Sequence, residues 1–229
     1  MGVIDETGIL NEDEVFIQCS IDNITNSNFK IYEEIVKSNR NSFIVTSKVV
    51  VAKNPCMHAG DVRVLKAVNI PELEHMINCI VFPRRGNRPI TNQCSGSDLD
   101  GDLYFVTWEP SLIPKQLCNA LDYTSQSAKE KFEISIEDVI KFFVKFIEVD
   151  QLGRIANAHV AISDSSNLGV KDPICVDLAL AFSLAVDFPK TGIVPKIPDA
   201  AKNILSYPDF MEKNFNSYES QKVIGTNFN

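Results

Sequence analysis

This 229-residue chain lacks the long apolar stretch that would mark a membrane-spanning protein. None of its apolar runs approaches the roughly 20 residues that a membrane-spanning helix needs, so no membrane partner is expected. The first residues include acids where a secretory signal peptide would carry basic residues followed by an apolar core. An intracellular protein is therefore predicted. No basic localisation run distinguishes the nucleus from the cytoplasm.

The chain also lacks an ordered pattern of cysteines. Its six cysteines are scattered, with no CxxC pair and no spacing typical of zinc ligands. They are expected to be reduced thiols. The sequence contains no convincing Ser-His-Asp or Cys-His arrangement, so covalent catalysis by a protein nucleophile is not indicated.

An overall excess of positive charge is missing as well. The formal net charge is −8, which argues against the whole chain being a free-standing nucleic-acid-binding protein. The distribution is uneven, because between Lys48 and Arg88 there are seven basic and three acidic residues. A solvated surface is the simplest interpretation of this stretch. A basic approach to an acidic site would also suit phosphate chemistry.

An acidic cluster follows that basic stretch directly. Asp98, Asp100 and Asp102 stand at alternate positions, with Gly101 between the last two. Alternate side chains of an extended strand share one face, and Gly101 permits a tight turn that could converge the three carboxylates. Hard oxygen ligands of this kind suit Mg²⁺, Mn²⁺ or Ca²⁺. The spacing alone leaves three interpretations open: a catalytic metal site, a structural calcium loop and a solvated acidic turn.

The calcium interpretation can be tested against the EF-hand pattern. The three aspartates occupy positions 1, 3 and 5 of that loop, and Glu109 falls at position 12. The loop also needs glycine at position 6 and a helix on each side. Position 6 is Leu103, the upstream residues favour a helix poorly, and residues 103–108 predict a strand. A calcium-binding module therefore remains only a distant alternative.

The coarse pattern predicts an α+β protein. β-branched and aromatic runs predict strands in the first half, and a short helix is predicted at Asp61–Val68. The strand predictions are residues 15–19, 43–46, 48–52, 79–82 and 103–108. The second half changes to a helical period, with helices predicted over residues 136–148, 152–162 and 174–186 and an irregular tail. The expected domains are a compact β domain at residues 1–112 and a helical region at residues 113–229.

The helices carry start signals and apolar faces. Ser135 and Asp138 form an approximate capping box, and Asp172-Pro173 supplies an N-cap and first turn for the last long helix. The stripe of apolar residues within 136–147 is interpreted as core.

Six segments together resemble a known family. Residues 95–102 (Ser-Gly-Ser-Asp-Leu-Asp-Gly-Asp), preceded by residues 54–63 (Asn-Pro-Cys-Met-His-Ala-Gly-Asp-Val-Arg), resemble the eukaryotic RNA-dependent RNA polymerases of RNA silencing. Leucine at position 99, between the first two aspartates, is similar to what the plant members of the family have there. Further similar segments follow the family's order: residues 1–8, 156–159, 185–192 and 207–213. The chain departs from the family pattern at Ala59, where proline is usual, and at residues 181–183, where Leu-His-Ser is usual.

The resemblance implies a fold and a part of an active site. The family's catalytic core pairs two double-psi β-barrels, the first supplying lysines and the second the aspartate triad. Residues 1–112 would form the second barrel, followed by the helical region. The first barrel and the N-terminal part of the polymerase would then be missing partners of this segment.

The resemblance also implies an RNA-directed RNA polymerase activity. Asp98, Asp100 and Asp102 would be the catalytic residues and the ligands of Mg²⁺, with Mn²⁺ as an alternative. The substrates would be a single-stranded RNA template and nucleoside triphosphates. The product would be double-stranded RNA for small-RNA production in gene silencing and antiviral defence, with small-RNA-processing nucleases as partners.

Three basic residues are hypothesised to contact phosphates of the template or the incoming nucleotide. They are Lys53, Arg63 and Arg88, and a surface salt bridge is the alternative role for each. A further alternative concerns the whole chain. It would be a truncated, non-catalytic polymerase fragment that binds metal or RNA but cannot polymerise alone.

Overall fold

The computed structural model describes residues 1–20, 41–124, 132–213 and 216–228. The chain divides into two compact units, a β unit at Met1–Asp122 and a helical unit at Tyr123–Asn229. The division lies ten residues beyond the expected boundary at residue 112. The backbone carbonyls of Cys118 and Leu121 accept hydrogen bonds from Arg63 and Arg88, which ties this segment to the β unit.

The sheet that the described residues of the β unit form has seven strands. They are β1 (Gly2–Ile4), β2 (Glu14–Ser20), β3 (Ser42–Ile44), β4 (Lys48–Asn54), β5 (Arg63–Ala67), β6 (Cys79–Phe82) and β7 (Leu103–Thr107). The strand order is β1-β6-β2-β5-β4-β7, with β3 paired to β2. The described residues of this unit also include a short helix, α1 (Ile90–Gln93), and 3₁₀ turns at Ala59–Asp61, Pro71–Leu73 and Pro110–Leu112. The five predicted strands are confirmed, with small changes at their ends.

The sheet mixes parallel and antiparallel pairs and curls around a core. β1 pairs with β6 and β2 with β5 in parallel, whereas the other pairs are antiparallel. The backbone N–H of Gly2 in β1 donates to the carbonyl of Asp102, just before β7, at 3.1 Å. The two outer strands of the sheet therefore approach each other where the aspartate loop enters β7. The core includes Val15, Val49 and Phe82, which are fully buried.

The predicted helix at Asp61–Val68 is wrong. A 3₁₀ turn at Ala59–Asp61 leads directly into β5, which pairs with β4 and β2. Within β5, Leu65 and Ala67 are buried and Lys66 between them is exposed. This alternation is the period of a half-buried strand. Pairing on both sides outweighs any helical tendency of so short a segment.

Within its described residues, the helical unit contains five helices. They are α2 (Ile136–Glu148), α3 (Leu152–Ser165), α4 (Pro173–Val186), α5 (Phe188–Thr191) and α6 (Val223–Phe228). The tail contains a parallel pair of two-residue strands, β8 (Tyr207–Pro208) and β9 (Ser217–Tyr218), and there are 3₁₀ turns at Gly169–Lys171, Asp199–Ala201 and Asp209–Met211. The core of this unit lies between α3 and α4, where Ile155 and Leu178 are fully buried.

The predicted helix starts are confirmed. The Ser135 hydroxyl accepts a hydrogen bond from the N–H of Asp138, and the Asp138 carboxylate accepts one from the N–H of Ser135. The Asp172 carboxylate accepts the N–H of Ile174 at 2.9 Å, with Pro173 in the first turn of α4. These bonds satisfy N–H groups that have no partner within a helix.

The interpretation of the α2 apolar stripe as core is wrong for the described residues. Ile136, Ile140, Phe143 and Ile147 are 73%, 56%, 62% and 61% exposed, and no residue of α2 is buried. The ring contacts of α2 are with Phe188 of α5, on which Phe142 and Phe146 stack. Among the described helices, none is long and apolar enough to cross a membrane.

Candidate metal centre

The three aspartates lie on the loop that connects α1 to β7. Each offers one carboxylate oxygen, and these three atoms lie within 4.8 Å of one another. Asp98 and Asp100 are exposed, whereas Asp102 is partly buried at the start of the strand. The fold therefore brings together the three carboxylates that the sequence singled out.

The loop reaches this arrangement through an unusual backbone. Ser95, Gly96, Leu99 and Gly101 have positive φ angles of 56°, 67°, 66° and 121°. A side chain at Gly101 would meet no atom within 4 Å, so glycine is needed there for its conformation and not for space. Leu99 keeps its strained conformation while its side chain packs against the core of the β unit. Such strain persists where surrounding contacts determine the backbone.

Asp102 organises the loop through its two carboxylate oxygens. Oδ1 forms an ion pair with Nζ of Lys53 at 2.7 Å. Oδ2 accepts a hydrogen bond from the hydroxyl of Ser97 and weaker bonds from the N–H groups of Asp98 and Leu99, each at 3.3 Å. The third aspartate thus positions the backbone that carries the first.

The same contacts set the ionisation of Asp102. Burial by itself would raise the pKa of this carboxyl group, but the hydrogen bonds from Lys53 and Ser97 and the positive charge of Lys53 lower it below its ordinary value. The carboxylate is therefore ionised at neutral pH, which is the form that ligates a cation.

The side chains of Ser97 and Tyr104 form a hydrogen-bonded chain that holds the Asp102 carboxylate in position. The hydroxyl of Ser97, which is buried, also shares a hydrogen bond with the hydroxyl of Tyr104. Tyr104 packs on Phe82 with ring centroids 4.8 Å apart, and burial raises its pKa, so the phenol stays protonated. Sequence analysis did not assign this role. The available signal was that Tyr104 follows Asp102 by two residues, so in extended chain the two side chains point to the same side.

Asp61 anchors the start of the loop. It is fully buried, and its carboxylate accepts a hydrogen bond from the Ser95 hydroxyl at 2.9 Å. Asp61 was recognised only as part of a motif. Its contact with Ser95 depends on strand pairing and has no local signature in the sequence.

The three basic candidates occupy different environments. Lys53 lies in the site, paired with Asp102. Arg63 donates from one nitrogen to the carbonyls of Gly60 and Cys118 at 3.2 and 3.4 Å. Arg88 donates from Nε to Asn92 and from a second nitrogen to the carbonyls of Asn92 and Leu121. Both arginines thus fasten Cys118 and Leu121 to the β unit.

The EF-hand arrangement is absent around this loop. A strand, β7, begins at Leu103 where the loop of an EF-hand would continue, and α1 upstream has only four residues. Glu109, at position 12 of that register, accepts hydrogen bonds from the N–H and hydroxyl of Ser111. These contacts argue against the calcium-binding module.

The donor set nevertheless fits a divalent cation. All three ligand candidates are carboxylates, the hard oxygen donors that Mg²⁺ and Mn²⁺ prefer. Two of them, Asp98 and Asp100, are exposed to solvent. The third is already ionised, and each oxygen of a carboxylate has more than one lone pair, so the contacts with Lys53 and Ser97 leave room for a further partner.

The chain matches known proteins along nearly its whole length. A family model described as "RNA dependent RNA polymerase" matches residues 1–228. The chain is 47% identical over 227 residues to a probable RNA-dependent RNA polymerase 1 of Oryza sativa subsp. japonica, covering 98% of this chain and 29% of that protein. It is 46% identical over 230 residues to RNA-dependent RNA polymerase 1 of Arabidopsis thaliana, covering 100% of this chain and 19% of that protein.

A solved structure shares the fold. The RNA-dependent RNA polymerase QDE-1 from Thielavia terrestris matches with a TM-score of 0.61 and 24% identity, covering 88% of this chain and 22% of that one. At this identity the likeness concerns the fold alone. The alignments with the two plant sequences and with the family model, in contrast, span nearly the whole chain. This chain therefore belongs to the RNA-dependent RNA polymerase family.

Proposed function

We propose that this chain carries the metal-binding half of an RNA-directed RNA polymerase active site. The observation that carries the proposal is the convergence of Asp98, Asp100 and Asp102 within 4.8 Å, in a chain of this family. The reaction would extend an RNA strand on a single-stranded RNA template, with nucleoside triphosphates as substrates. These are the substrates that the names of the relatives imply for those proteins.

The β unit would be the second double-psi β-barrel of a two-barrel core. The mixture of parallel and antiparallel pairs and the bond between Gly2 and Asp102, which joins the outer strands, support this assignment. The first barrel would come from a part of the polymerase beyond this segment, since the chain spans only 29% and 19% of the two plant relatives.

The residues of the site would have different roles in nucleotidyl transfer. Asp98, Asp100 and Asp102 would hold Mg²⁺, or Mn²⁺, which has similar ligand preferences. When bound, the cation would lower the pKa of the attacking 3′-hydroxyl and stabilise negative charge on the α-phosphate and the leaving pyrophosphate. Lys53 and Ser97 would keep the Asp102 carboxylate ionised and oriented. No covalent protein intermediate is needed.

Lys53, Arg63 and Arg88 would contribute to phosphate binding to different extents. Lys53 lies beside the triad, and its ammonium group could exchange the ion pair with Asp102 for one with a substrate phosphate. Arg63 uses one terminal nitrogen for its two carbonyl contacts, whereas Arg88 uses Nε and a terminal nitrogen. Because a guanidinium group has five N–H donors, each arginine retains donors for a phosphate, and Arg63 retains more of them.

The biological role would be the production of double-stranded RNA for small-RNA-mediated silencing, including antiviral defence. Small-RNA-processing nucleases would then act on the product. The resemblance to the plant members supports this role, in the nucleus or in the cytoplasm.

Replacement of one aspartate tests the active-site proposal. In a complete polymerase that contains this segment, Asp100→Asn should reduce templated nucleotide incorporation by about 100-fold or more, because several kcal/mol of charge stabilisation would be lost. Binding of the RNA template should change little. Glu72→Gln, at an exposed acid of the same unit, is the matched control and should retain full activity. Primer extension at the normal rate by the Asp100→Asn polymerase would refute the proposal.

A second candidate function is that of a fragment that binds metal or RNA without polymerising. The three carboxylates within 4.8 Å favour it, because this segment alone supplies them as ligands for a metal ion. The 229-residue chain alone should then show no templated incorporation while still binding Mn²⁺ at the aspartate loop. Incorporation by the isolated chain would exclude this second function and would extend the first one to the isolated segment.

A further inference from the structure

The helical unit contains a small pocket with positively charged walls. Its volume is about 150 Å³, and it lies between the first two turns of α3 and residues 197–213. Three cationic side chains line it, Arg154, Lys202 and Lys213, and no acidic side chain does. This distribution is unexpected in a chain with a net charge of −8, and it sets the pocket apart from the aspartate loop.

Two of the three cations lack a counter-charge among the described residues. Lys202 forms an ion pair with Asp199 at 2.6 Å. Arg154 is exposed and forms no hydrogen bond or ion pair within the described ranges. Lys213, which is partly buried, forms no ion pair there either, and its ammonium group lies 5.9 Å from the centroid of the Tyr207 ring. Like charges around one space repel each other, so an anion between them would be stabilising.

The uncharged walls of the pocket also favour an anion. Ala158 and Ile197 contribute an apolar floor, and both are buried. An apolar floor reduces screening by water and strengthens the attraction between an anion and the cations above it. Arg154 and Asn157 stand three residues apart and therefore on one face of α3. They lie near the N-terminus of that helix, where the helix dipole is positive.

The size of the pocket narrows the choice of ligand. Sites that enclose a whole small molecule have volumes of roughly 300–1,000 Å³, so a pocket of about 150 Å³ does not enclose a complete nucleotide. It suits a single phosphate group that belongs to a longer chain lying across the surface. The planar guanidinium group of Arg154 matches the oxygens of a phosphate.

We propose that the pocket formed by Arg154, Lys202 and Lys213 binds one backbone phosphate of single-stranded RNA. The proposal rests on the proposed function, because RNA is taken to be the polymer that the protein handles. It adds a contact in the helical unit, separate from the chemistry of the aspartate triad. Lys202 contributes less than the other two cations because Asp199 already neutralises part of its charge.

A charge-matched pair of variants tests the pocket. The 229-residue chain is titrated into labelled single-stranded RNA, and binding is followed by fluorescence anisotropy at several salt concentrations. Arg154→Gln with Lys213→Gln should weaken binding about three- to tenfold and reduce the slope of log K against log salt by about 0.7, the value for one phosphate contact on a single strand. Lys141→Gln with Lys171→Gln removes the same charge at exposed positions outside the pocket and should leave the slope unchanged.

Further measurements separate a specific site from general charge and from misfolding. Arg154→Lys keeps the positive charge but lacks the planar guanidinium group. Compared with Arg154→Gln, it should recover part of the lost RNA affinity. The circular dichroism spectrum of each variant should match that of the unaltered chain. Inorganic phosphate and ATP, added as competitors, should displace RNA only weakly, because each offers a single contact without the rest of the strand. Displacement by either at concentrations comparable with the RNA would assign the pocket to a free anion and overturn the proposal.

Failure of this proposal is distinguishable from failure of the active-site proposal. Equal effects of the two double variants, or no RNA binding by the unaltered chain, would overturn the phosphate pocket. Neither result bears on the Asp100→Asn experiment, which measures incorporation in a complete polymerase. Conversely, full activity of the Asp100→Asn polymerase would refute the triad's role even if the pocket variants lost RNA affinity.

Discussion

The aspartate loop of the β unit and helix α2 of the helical unit differ in how far their own unit stabilises them. In the loop, the carboxylate of Asp102 has contacts with Lys53, Ser97 and two backbone N–H groups. Helix α2 has a well-formed capping box, but none of its residues is buried. The loop is held by polar contacts across the sheet, whereas α2 is held mainly by its own backbone.

The difference shows that regular structure and stability have separate causes. The loop has four residues at positive φ and still takes one defined shape, because contacts from β4, β7 and the 3₁₀ turn before β5 determine it. Helix α2 has a favourable start signal in its capping box. Short isolated helices are nonetheless marginal in water, so α2 gains little until its apolar face is covered.

The largest effect on stability is expected from removing a buried carboxylate of the β unit, that of Asp5. Asp5 is fully buried, and its carboxylate accepts the N–H groups of Thr7 and Leu10 and the hydroxyl of Thr7. Asp5→Ala should lower the free energy of unfolding of the β unit by about 3 kcal/mol, because the buried N–H of Leu10 and the part-buried N–H of Thr7 lose their acceptor. Fluorescence of Trp108, the only tryptophan, reports on this unit during denaturation.

The same carboxyl group predicts a pH dependence. Burial would raise the pKa of Asp5, but its hydrogen bonds with Thr7, Leu10 and Gly8 lower it below the ordinary value of 3.8. Its contribution to stability is therefore complete above pH 3.8 and is lost as the pH falls through the lower pKa of the folded state. Glu6→Gln, at an exposed neighbour, should leave both stability and its acid dependence unchanged. An Asp5→Ala protein as stable as the unaltered chain would show that these contacts contribute nothing.

An intermediate effect, on metal affinity, is expected from replacing the side chains that hold the Asp102 carboxylate in position. Ser97→Ala should weaken Mn²⁺ binding by the 229-residue chain about 10- to 100-fold, because side chains that orient a metal ligand typically have effects of this size. Tyr104→Phe should cause a smaller loss, since Tyr104 acts on Asp102 only through Ser97. Isothermal titration calorimetry measures both affinities. Ser47→Ala, at an exposed serine, is the control, and an equal loss in that variant would contradict the assigned role of Ser97.

The smallest effect is expected on the exposed face of α2. Phe143→Ala should change stability by no more than about 0.5 kcal/mol, as is usual for exposed positions, because Phe143 is 62% exposed. Leu178→Ala in α4, at a fully buried position, should cost about 3 kcal/mol by the same denaturation measurement. Far-ultraviolet circular dichroism follows the helical unit in both variants. Similar losses in the two would show that the α2 face is covered in solution.

Several features were predictable because they depend on short stretches of sequence. The capping residues Ser135 and Asp172, the strand at Cys79–Phe82 and the turn at Gly101 follow from residue type and spacing alone. The segment at residues 61–68 was mispredicted because its strand pairs with β4 and β2, and distant pairing partners leave no local signal. The exposure of Ile136 and Phe143 was likewise unpredictable, since a helical period indicates an apolar face but not what covers it.

The sequence by itself determined which atoms are available as metal ligands: three carboxylates at alternate positions, with a glycine that permits the turn. Only the tertiary structure decided that these oxygens converge within 4.8 Å and that Asp102 is held by Lys53 and Ser97. The reason lies in the strand register, because the pairing of β4 with β7 places Lys53 opposite Tyr104. A contact between strands distant in the sequence depends on the whole sheet, whereas the spacing of ligands depends only on neighbouring residues.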